Sequence, residues 1–481
     1  MKCIKYSDVL IDKFKEECGV FGVYDTEHLD EEVSILTYYG LFSLQHRGQE
    51  SSGIAFSDGK TVKCKKSMGL VSESFSREIL NDMNGYSSIG HVRYSTKGKS
   101  EIKNAQPILV NYKLGTIAIA HNGTLVNSDI LKDLLEDAGV IFQTSSDSEV
   151  ILNLIAREAK KGFKSAVTNA MQAVKGSYAI AILTQEGLIA ARDPYGIRPL
   201  CIGKKDSKFF ISSESCAFDS IGAEFIRDVR PGEIIMISEN GLESIYEVEK
   251  TKCATCAFEY IYFARPDSTI DGISVYKTRE KSGEILAANH MADADIVTGV
   301  PDSGIPATIG FSKKSGIPYE IGLIKNKYVG RTFIAPNQEL REHFLSVKLS
   351  VLKDNVRGKK VILIDDSIVR GTTSKKIVKM LKEAGATEVH LRISSPPIKY
   401  PCYFGIDTPY RKGLIASSKT ITETVEKIEA DSLEYLSTEE LLEILGNKDD
   451  FCLGCFTGVY PLSTPILDSE GNEGSENDDK L

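Results

Sequence analysis

The chain has 481 residues, 42% of them hydrophobic and 26% charged, enough for two to four domains that each bury a core. Its net charge of −9 and pI near 5.5 give no electrostatic case for binding nucleic acid or an anionic membrane. No window approaches the ~18 apolar residues of a membrane span, and ten cysteines without an apolar secretory leader read as reduced thiols, catalysts or metal ligands in a cytoplasm.

Residues 1–17 mix Lys, Asp and Glu. From there to about Lys250, short apolar runs at 19–24, 115–120, 178–183 and 233–237 predict strands, and helical patterns lie between them at 31–44, 128–138 and 147–161. Together they predict an α+β layered domain. Near Thr251 the texture changes. A strand at Ile296–Val300, a helix from about Pro306, a strand starting at Val361, a helix over Ser374–Ala384 and a strand at Glu388–Ile393 alternate, which is the pattern of an α/β parallel sheet. The stretch 463–481 is rich in Gly, Ser, Asp and Glu, a composition that predicts a disordered acidic tail. There is no internal repeat.

The sharpest signal lies in the second half. Val361-Ile362-Leu363-Ile364 reads as a strand buried on both faces. Asp365 and Asp366 follow at its carboxyl end, where open α/β sheets bind ligands. Ser367-Ile368-Val369-Arg370-Gly371-Thr372-Thr373 then forms a turn with one glycine and three hydroxyls that runs into a helix, a natural phosphate site. Paired carboxylates can accept hydrogen bonds from two vicinal hydroxyls, so the ligand suggested is a ribose carrying a 5′-phosphate. An acidic strand end facing solvent is the plain alternative.

The stretch resembles the diphosphoribosyl-binding loop of type I phosphoribosyltransferases. That resemblance implies 5-phosphoribosyl-1-pyrophosphate as substrate, bound by Asp365, Asp366, Ser367, Arg370, Gly371, Thr372 and Thr373. It also makes Asp302-Ser303-Gly304 the pyrophosphate loop, with Ser303, Asp365 and Asp366 around a Mg²⁺ ion. Lys327, Tyr328 and Arg331 would belong to a loop that closes over the substrate. The plain alternatives are an αβ turn with Asp302 as cap and a solvated basic loop.

In the first half, Cys18 stands in Glu16-Glu17-Cys18-Gly19-Val20-Phe21-Gly22 and taken alone is more often a core residue than a nucleophile. Three further stretches change that weighting: Gly90-His91-Val92-Arg93-Tyr94-Ser95-Thr96, His121-Asn122-Gly123-Thr124-Leu125 and Ser145-Ser146-Asp147-Ser148-Glu149. In this order they resemble class II glutamine amidotransferases of the N-terminal-nucleophile (αββα) fold. The resemblance implies that residues 1–17 are a propeptide and that Cys18 begins an 18–250 glutaminase domain. A freed α-amino group, with a pKa near 8, can then take the thiol proton. Arg93 and Tyr94 would bind glutamine, Arg93 at its carboxylate, and Asp147 would take its α-ammonium. Asn122 and the N–H of Gly123 would form the oxyanion hole. Taken singly, Arg93 could be a surface ion pair, Asn122-Gly123 a hairpin turn and Asp147 a helix cap.

A glutaminase followed by a phosphoribosyltransferase at 251–462 resembles the glutamine phosphoribosylpyrophosphate amidotransferase (amidophosphoribosyltransferase) family, over roughly Cys18 to Pro461. Glu259-Tyr260-Ile261-Tyr262-Phe263-Ala264-Arg265-Pro266-Asp267-Ser268 at the junction adds to the match. The family implies that ammonia from glutamine passes through an internal channel and displaces pyrophosphate. The product is 5-phosphoribosylamine, and the reaction is the first committed step of de novo purine synthesis. It also implies a homotetramer under feedback inhibition by purine nucleotides.

Two Cys-x-x-Cys pairs, Cys253/Cys256 and Cys452/Cys455, suggest by spacing a four-cysteine zinc site. The family resemblance instead implies a [4Fe–4S] cluster on Cys256, Cys402, Cys452 and Cys455, with Cys253 as an extra thiol. Two other functions compete: a glutaminase feeding a different acceptor, and a silent nucleotide sensor. The Asp365-Asp366 loop weighs against the first, and the intact set Cys18, Arg93, Asn122, Asp147, Asp365 and Asp366 against the second.

Overall fold

The computed structural model describes residues 17–29, 33–94, 100–248, 252–326, 348–408, 410–446 and 449–464. Residues 1–16 of the expected propeptide, Lys327, Tyr328 and Arg331 of the expected closing loop, and 465–481 of the expected tail lie outside the described residues.

Among the described residues, the first half holds thirteen strands: β1 (Gly19–Asp25), β2 (Ser51–Ser57), β3 (Val62–Met68), β4 (Ser87–Arg93), β5 (Ile108–Tyr112), β6 (Gly115–Leu125), β7 (Gly176–Leu183), β8 (Leu188–Arg192), β9 (Cys201–Lys205), β10 (Lys208–Ser212), β11 (Glu224–Asp228), β12 (Ile234–Ser238) and β13 (Gly241–Tyr246). They form two antiparallel sheets, ordered β11-β9-β10-β1-β4-β2-β3 and β13-β12-β8-β7-β6-β5. Helix α1 (Val33–Ser43) covers the first sheet; α2 (Ser148–Glu158) and α3 (Phe163–Ala173) cover the second. The result is a four-layer αββα sandwich.

The sequence explains the layering. In β1, Val20 and Tyr24 face the second sheet while Phe21 and Val23 face α1, so a strand between two apolar layers must be apolar on both sides. Alanines 118, 120, 179, 181 and 190 lie between the sheets, and Ile117, Ile119, Ile180 and Ile182 point to the helices. Small residues on one face and bulky ones on the other let the sheets approach while filling the helical layer.

The second half begins with β14 (Thr255–Cys256) and centres on a four-stranded parallel sheet of β15 (Ile296–Gly299), β16 (Lys360–Asp365), β17 (Glu388–Ile393) and β18 (Ser432–Tyr435), in that order. A last short strand, β19 (Phe451–Cys452), pairs in parallel with β14. Helices α4 (Val275–Asn289) and α5 (Ile305–Ser315) pack on one face of the four-stranded sheet, and α6 (Thr372–Glu383) on the other. Val361 and Leu363 join the α6 side; Ile362 and Ile364 join the α4/α5 side. This two-sided burial is why the run is apolar without alternation. The halves meet in a cluster where Ile197, Tyr195 and Val126 of the first pack with Phe258, Ile398 and Phe404 of the second.

Leu363 is fully buried in the middle strand of the parallel sheet. Leu363→Ala is expected to lose about 2–5 kcal/mol, measured as a lowered urea midpoint.

Candidate active sites

Cys18 precedes β1 and is buried between the sheets' ends. Its Sγ donates to the carbonyl of Tyr94 at 3.4 Å. Burial pushes the thiol up to about 11, against the pull of that hydrogen bond and of Arg93. Arg93 closes β4 opposite Ser51 and is buried, not a surface ion pair. Asn122 and Gly123 lie inside β6, paired with Ala179 and Tyr178 of β7, so the hairpin-turn alternative does not hold. The predicted strand 115–120 runs on through Leu125 because β7 pairs with it from Ala118 to Leu125. The Nδ2 of Asn122 is buried and has no hydrogen-bond partner among the described residues.

Asp147 stands at the N-cap of α2, but its side chain does not cap the helix. Its Oδ2 accepts from the N–H of Leu125 at 2.9 Å, which ties α2 to the end of β6. Behind Asn122, the backbone of His121 is gripped on both sides. Its N–H donates to Gln106 Oε1 at 2.7 Å, and its carbonyl accepts from His91 Nε2 at 3.0 Å. Burial pushes His91 down to about 3, so the ring is neutral and carries its proton on Nε2, the atom facing the carbonyl.

A buried ionic network surrounds the residue before Cys18. Arg47 Nε donates to the carbonyl of Cys18 at 3.0 Å; its Nη atoms donate to Glu17 at 2.9 Å, Glu214 at 2.5 Å and Glu259 at 2.7 and 3.0 Å. Arg198 pairs with Glu17 from the other side. Burial, with the neighbouring Glu259, holds the Glu17 carboxyl well above the usual range, against both arginines. Burial also opposes ionisation of Glu214 and Glu259, but His46 and Arg47 hold Glu214 low and Arg47 does the same for Glu259. Sequence reasoning passed over Arg47 and Arg198. The signal available was a dense polar run, Gln45-His46-Arg47-Gly48-Gln49-Glu50, directly after an apolar helix.

In the second half, the turns after β15 and β16 sit side by side, because these strands are parallel neighbours with Gly299 opposite Ile364. Asp365, Asp366 and Ser367 are buried at the strand end. Ser303 Oγ from the β15 turn donates to Asp366 Oδ1, and Ser367 Oγ donates to Asp366 Oδ2 at 2.6 Å. Asp302 is exposed and paired with Lys325 at 2.6 Å; Gly304 begins the path into α5. Gly371 adopts a left-handed conformation, φ 81°, at the start of α6, with Arg370 and Thr372 exposed beside it. A side chain there would meet Ile415 Cδ1 at 2.8 Å. The structure thus brings Ser303, Asp365, Asp366 and Ser367 together at the mouth of the α6 N-terminus.

Cys256 and Cys452 are register partners in the β14–β19 pair. Burial first raises the thiols of Cys256, Cys452 and Cys455; Glu17 and then Cys452 add to it at Cys256, Cys402 and Cys452 at Cys455, and Cys402 at Cys452, which reaches about 12. The Cys253 thiol is raised too, by burial first and then by the charges of Asp450 and Asp271. Among the described residues, no three His, Cys, Asp or Glu side chains are grouped so as to hold a single metal ion.

An αββα sandwich with a cysteine heading a buried strand, joined to a parallel sheet with paired aspartates at a strand end, defines a glutamine amidotransferase fused to a phosphoribosyltransferase. A family model described as a glutamine amidotransferase domain matches residues 91–220. The chain is 52% identical to the amidophosphoribosyltransferase of Methanocaldococcus jannaschii over 95% of its length and all of that protein, and 50% identical to that of Bacillus subtilis over 93% and 94%. Its fold matches the solved structure of glutamine phosphoribosylpyrophosphate amidotransferase from B. subtilis complexed with ADP and GMP, with a TM-score of 0.87, 49% identity, and 93% and 98% of the two chains covered. The chain belongs to the amidophosphoribosyltransferase family. Among the described residues, no helix is long and apolar enough to cross a membrane.

The thiolate is the reactive form of cysteine. With Glu17 still attached, alkylation at Cys18 by iodoacetamide is expected to be slow at pH 7 and to climb about tenfold per pH unit towards 11. Peptide mass mapping after labelling at several pH values checks this.

Proposed function

We propose that the chain converts glutamine and 5-phosphoribosyl-1-pyrophosphate into 5-phosphoribosylamine, glutamate and pyrophosphate, in the purine pathway. Removal of residues 1–17 would make Cys18 the N-terminus and give its thiol a base in the freed α-amine. The thiol proton moves to that amine, and Sγ attacks the glutamine amide carbon. Arg93 is placed to hold the substrate carboxylate, with Tyr94 beside it, and Asp147 the α-ammonium. Asn122 Nδ2 and the N–H of Gly123 would donate to the oxyanion. The observation that carries this half is the unpartnered Asn122 amide: a buried donor without a partner is costly unless a substrate oxygen is its acceptor. Cleavage would also take Glu17 out of the buried network and leave Arg47 and Arg198 with Glu214 and Glu259, two charges of each sign.

The sugar substrate fits the second site. Asp365 and Asp366 would accept from its ribose hydroxyls; Ser367, Arg370, Gly371, Thr372 and Thr373 would cradle the 5′-phosphate; Asp302, Ser303 and Gly304 would face the pyrophosphate. Lys327, Tyr328 and Arg331 are assigned to closure by resemblance alone. Oxygen donors at Ser303, Asp365 and Asp366 suit Mg²⁺, which takes one or two carboxylates plus substrate phosphates and needs no three-residue cage. Bound there, Mg²⁺ would supply positive charge for the leaving pyrophosphate. Cys256, Cys402, Cys452 and Cys455 would hold a [4Fe–4S] cluster: all four pack into the hydrophobic cluster at the junction, and such a cluster binds one thiolate at each iron. Such a cluster would stiffen the junction. The described cysteines are free thiols, in keeping with a reducing cytoplasm. Regulation by purine nucleotides and a homotetramer follow from the family, one of whose solved members carries ADP and GMP.

With glutamine, Mg²⁺ and phosphoribosylpyrophosphate all present under anaerobic conditions, glutamate and pyrophosphate are expected in equal amounts; glutamate without pyrophosphate would remove the transferase assignment. Asn122→Ala is expected to lower the glutamine-dependent kcat by about 10²–10³ while ammonia still supports pyrophosphate release.

A further inference from the structure

A glycine of the second half lies directly against the backbone of Gly123. Gly405 has φ 104°, and a Cβ there would stand 3.2 Å from Gly123 Cα, 3.3 Å from Gly123 C and 3.0 Å from Arg198 Nη2. On its opposite side, Gly123 is equally tight: with φ 141°, its Cβ would stand 2.1 Å from the carbonyl of Ser177 in β7. The oxyanion strand is therefore held between its own sheet partner and a loop from the other half of the chain.

Hydrogen bonds run along the same line. The carbonyl of Phe404 accepts from Ser177 Oγ at 2.7 Å and from Arg198 Nε at 3.0 Å. Ser177 Oγ in turn accepts from the N–H of Thr124, the residue after Gly123, at 3.3 Å. On the far side, the N–H of Phe404 donates to Cys402 Sγ at 3.4 Å. Ser177, Arg198 and Phe404 are all buried, so no water can replace these bonds cheaply.

We propose that Phe404 and Gly405 are positioning residues for the glutaminase reaction: they fix the β6 backbone at Gly123 and Thr124, and so make the oxyanion hole conditional on the cysteine-bearing loop of the phosphoribosyltransferase half. The proposal rests on the reading of Asn122 and Gly123 as oxyanion donors. Donors of this kind work by preorganisation, and a shift near 1 Å costs about a hundredfold in rate. Both act through the β6 backbone rather than on Cys18 or Arg93, and the nearest tie to Asp147 is one residue further on, at the N–H of Leu125, so the KM for glutamine is expected to change less than kcat.

The test uses the full-length enzyme after its N-terminus is confirmed by mass. Gly405→Ala and Ser177→Ala are each expected to lower glutamine-dependent kcat by about 10–100-fold, with the KM for glutamine changed less than about twofold and ammonia-dependent pyrophosphate release kept within about twofold of the parent. Because both act on one contact line, the double variant should fall little further than Gly405→Ala alone. An unchanged kcat in Gly405→Ala overturns the proposal. So does a parallel loss of glutamine- and ammonia-dependent activity, which would mark a merely structural junction. If Asn122→Ala keeps full glutaminase activity, the oxyanion reading itself fails, and that outcome is separate from either result at Gly405.

Discussion

Arg47 spends its guanidinium entirely inside the protein. It holds the carbonyl of Cys18 and the carboxylates of Glu17, Glu214 and Glu259, residues drawn from both halves of the chain. Glu214 passes the connection on, accepting from Ser268 Oγ at 2.7 Å and from the N–H of Arg265 at 2.8 Å. Such a cluster is stable only as a whole: removing one partner from a buried pair typically costs about 3–5 kcal/mol, because the charge left behind has no water. Cys18 and the start of the second half are thereby fixed relative to each other.

This anchoring matters because the two chemistries make opposite demands. A thiol that acts on an amide needs rigid strands around it, and Cys18 lies buried at the head of β1 in an antiparallel sheet. A phosphorylated sugar needs turns at a sheet's open edge, and the parallel half supplies two of them side by side from β15 and β16. Burial also sets protonation. It lowers His91, so the ring is neutral and donates to the His121 carbonyl, and it raises the Cys18 thiol.

Much of this was legible in the residues. The unbroken apolar run 361–364 announced a strand buried on both faces and forms β16, with Asp365 and Asp366 buried at its carboxyl end. The order Cys18, Arg93, Asn122-Gly123, Asp147 pointed to a glutaminase through its resemblance, since each residue alone has an ordinary explanation. Spacing offered Cys253 and Cys256 as a metal-binding pair; only the structure set Cys256 opposite Cys452, across the β14–β19 pair.

What the sequence determined by itself was local: the periodicities of the strands and helices and the turn chemistry around Gly371. These depend on residues within a few positions of one another. Only the tertiary structure decided which distant groups share a site. It set Ser303 on Asp366 across 63 residues, Glu17 between Arg47 and Arg198, and Gly405 against Gly123. Such contacts follow from strand order and sheet packing, and a buried arginine or a tight glycine reads in sequence like any other.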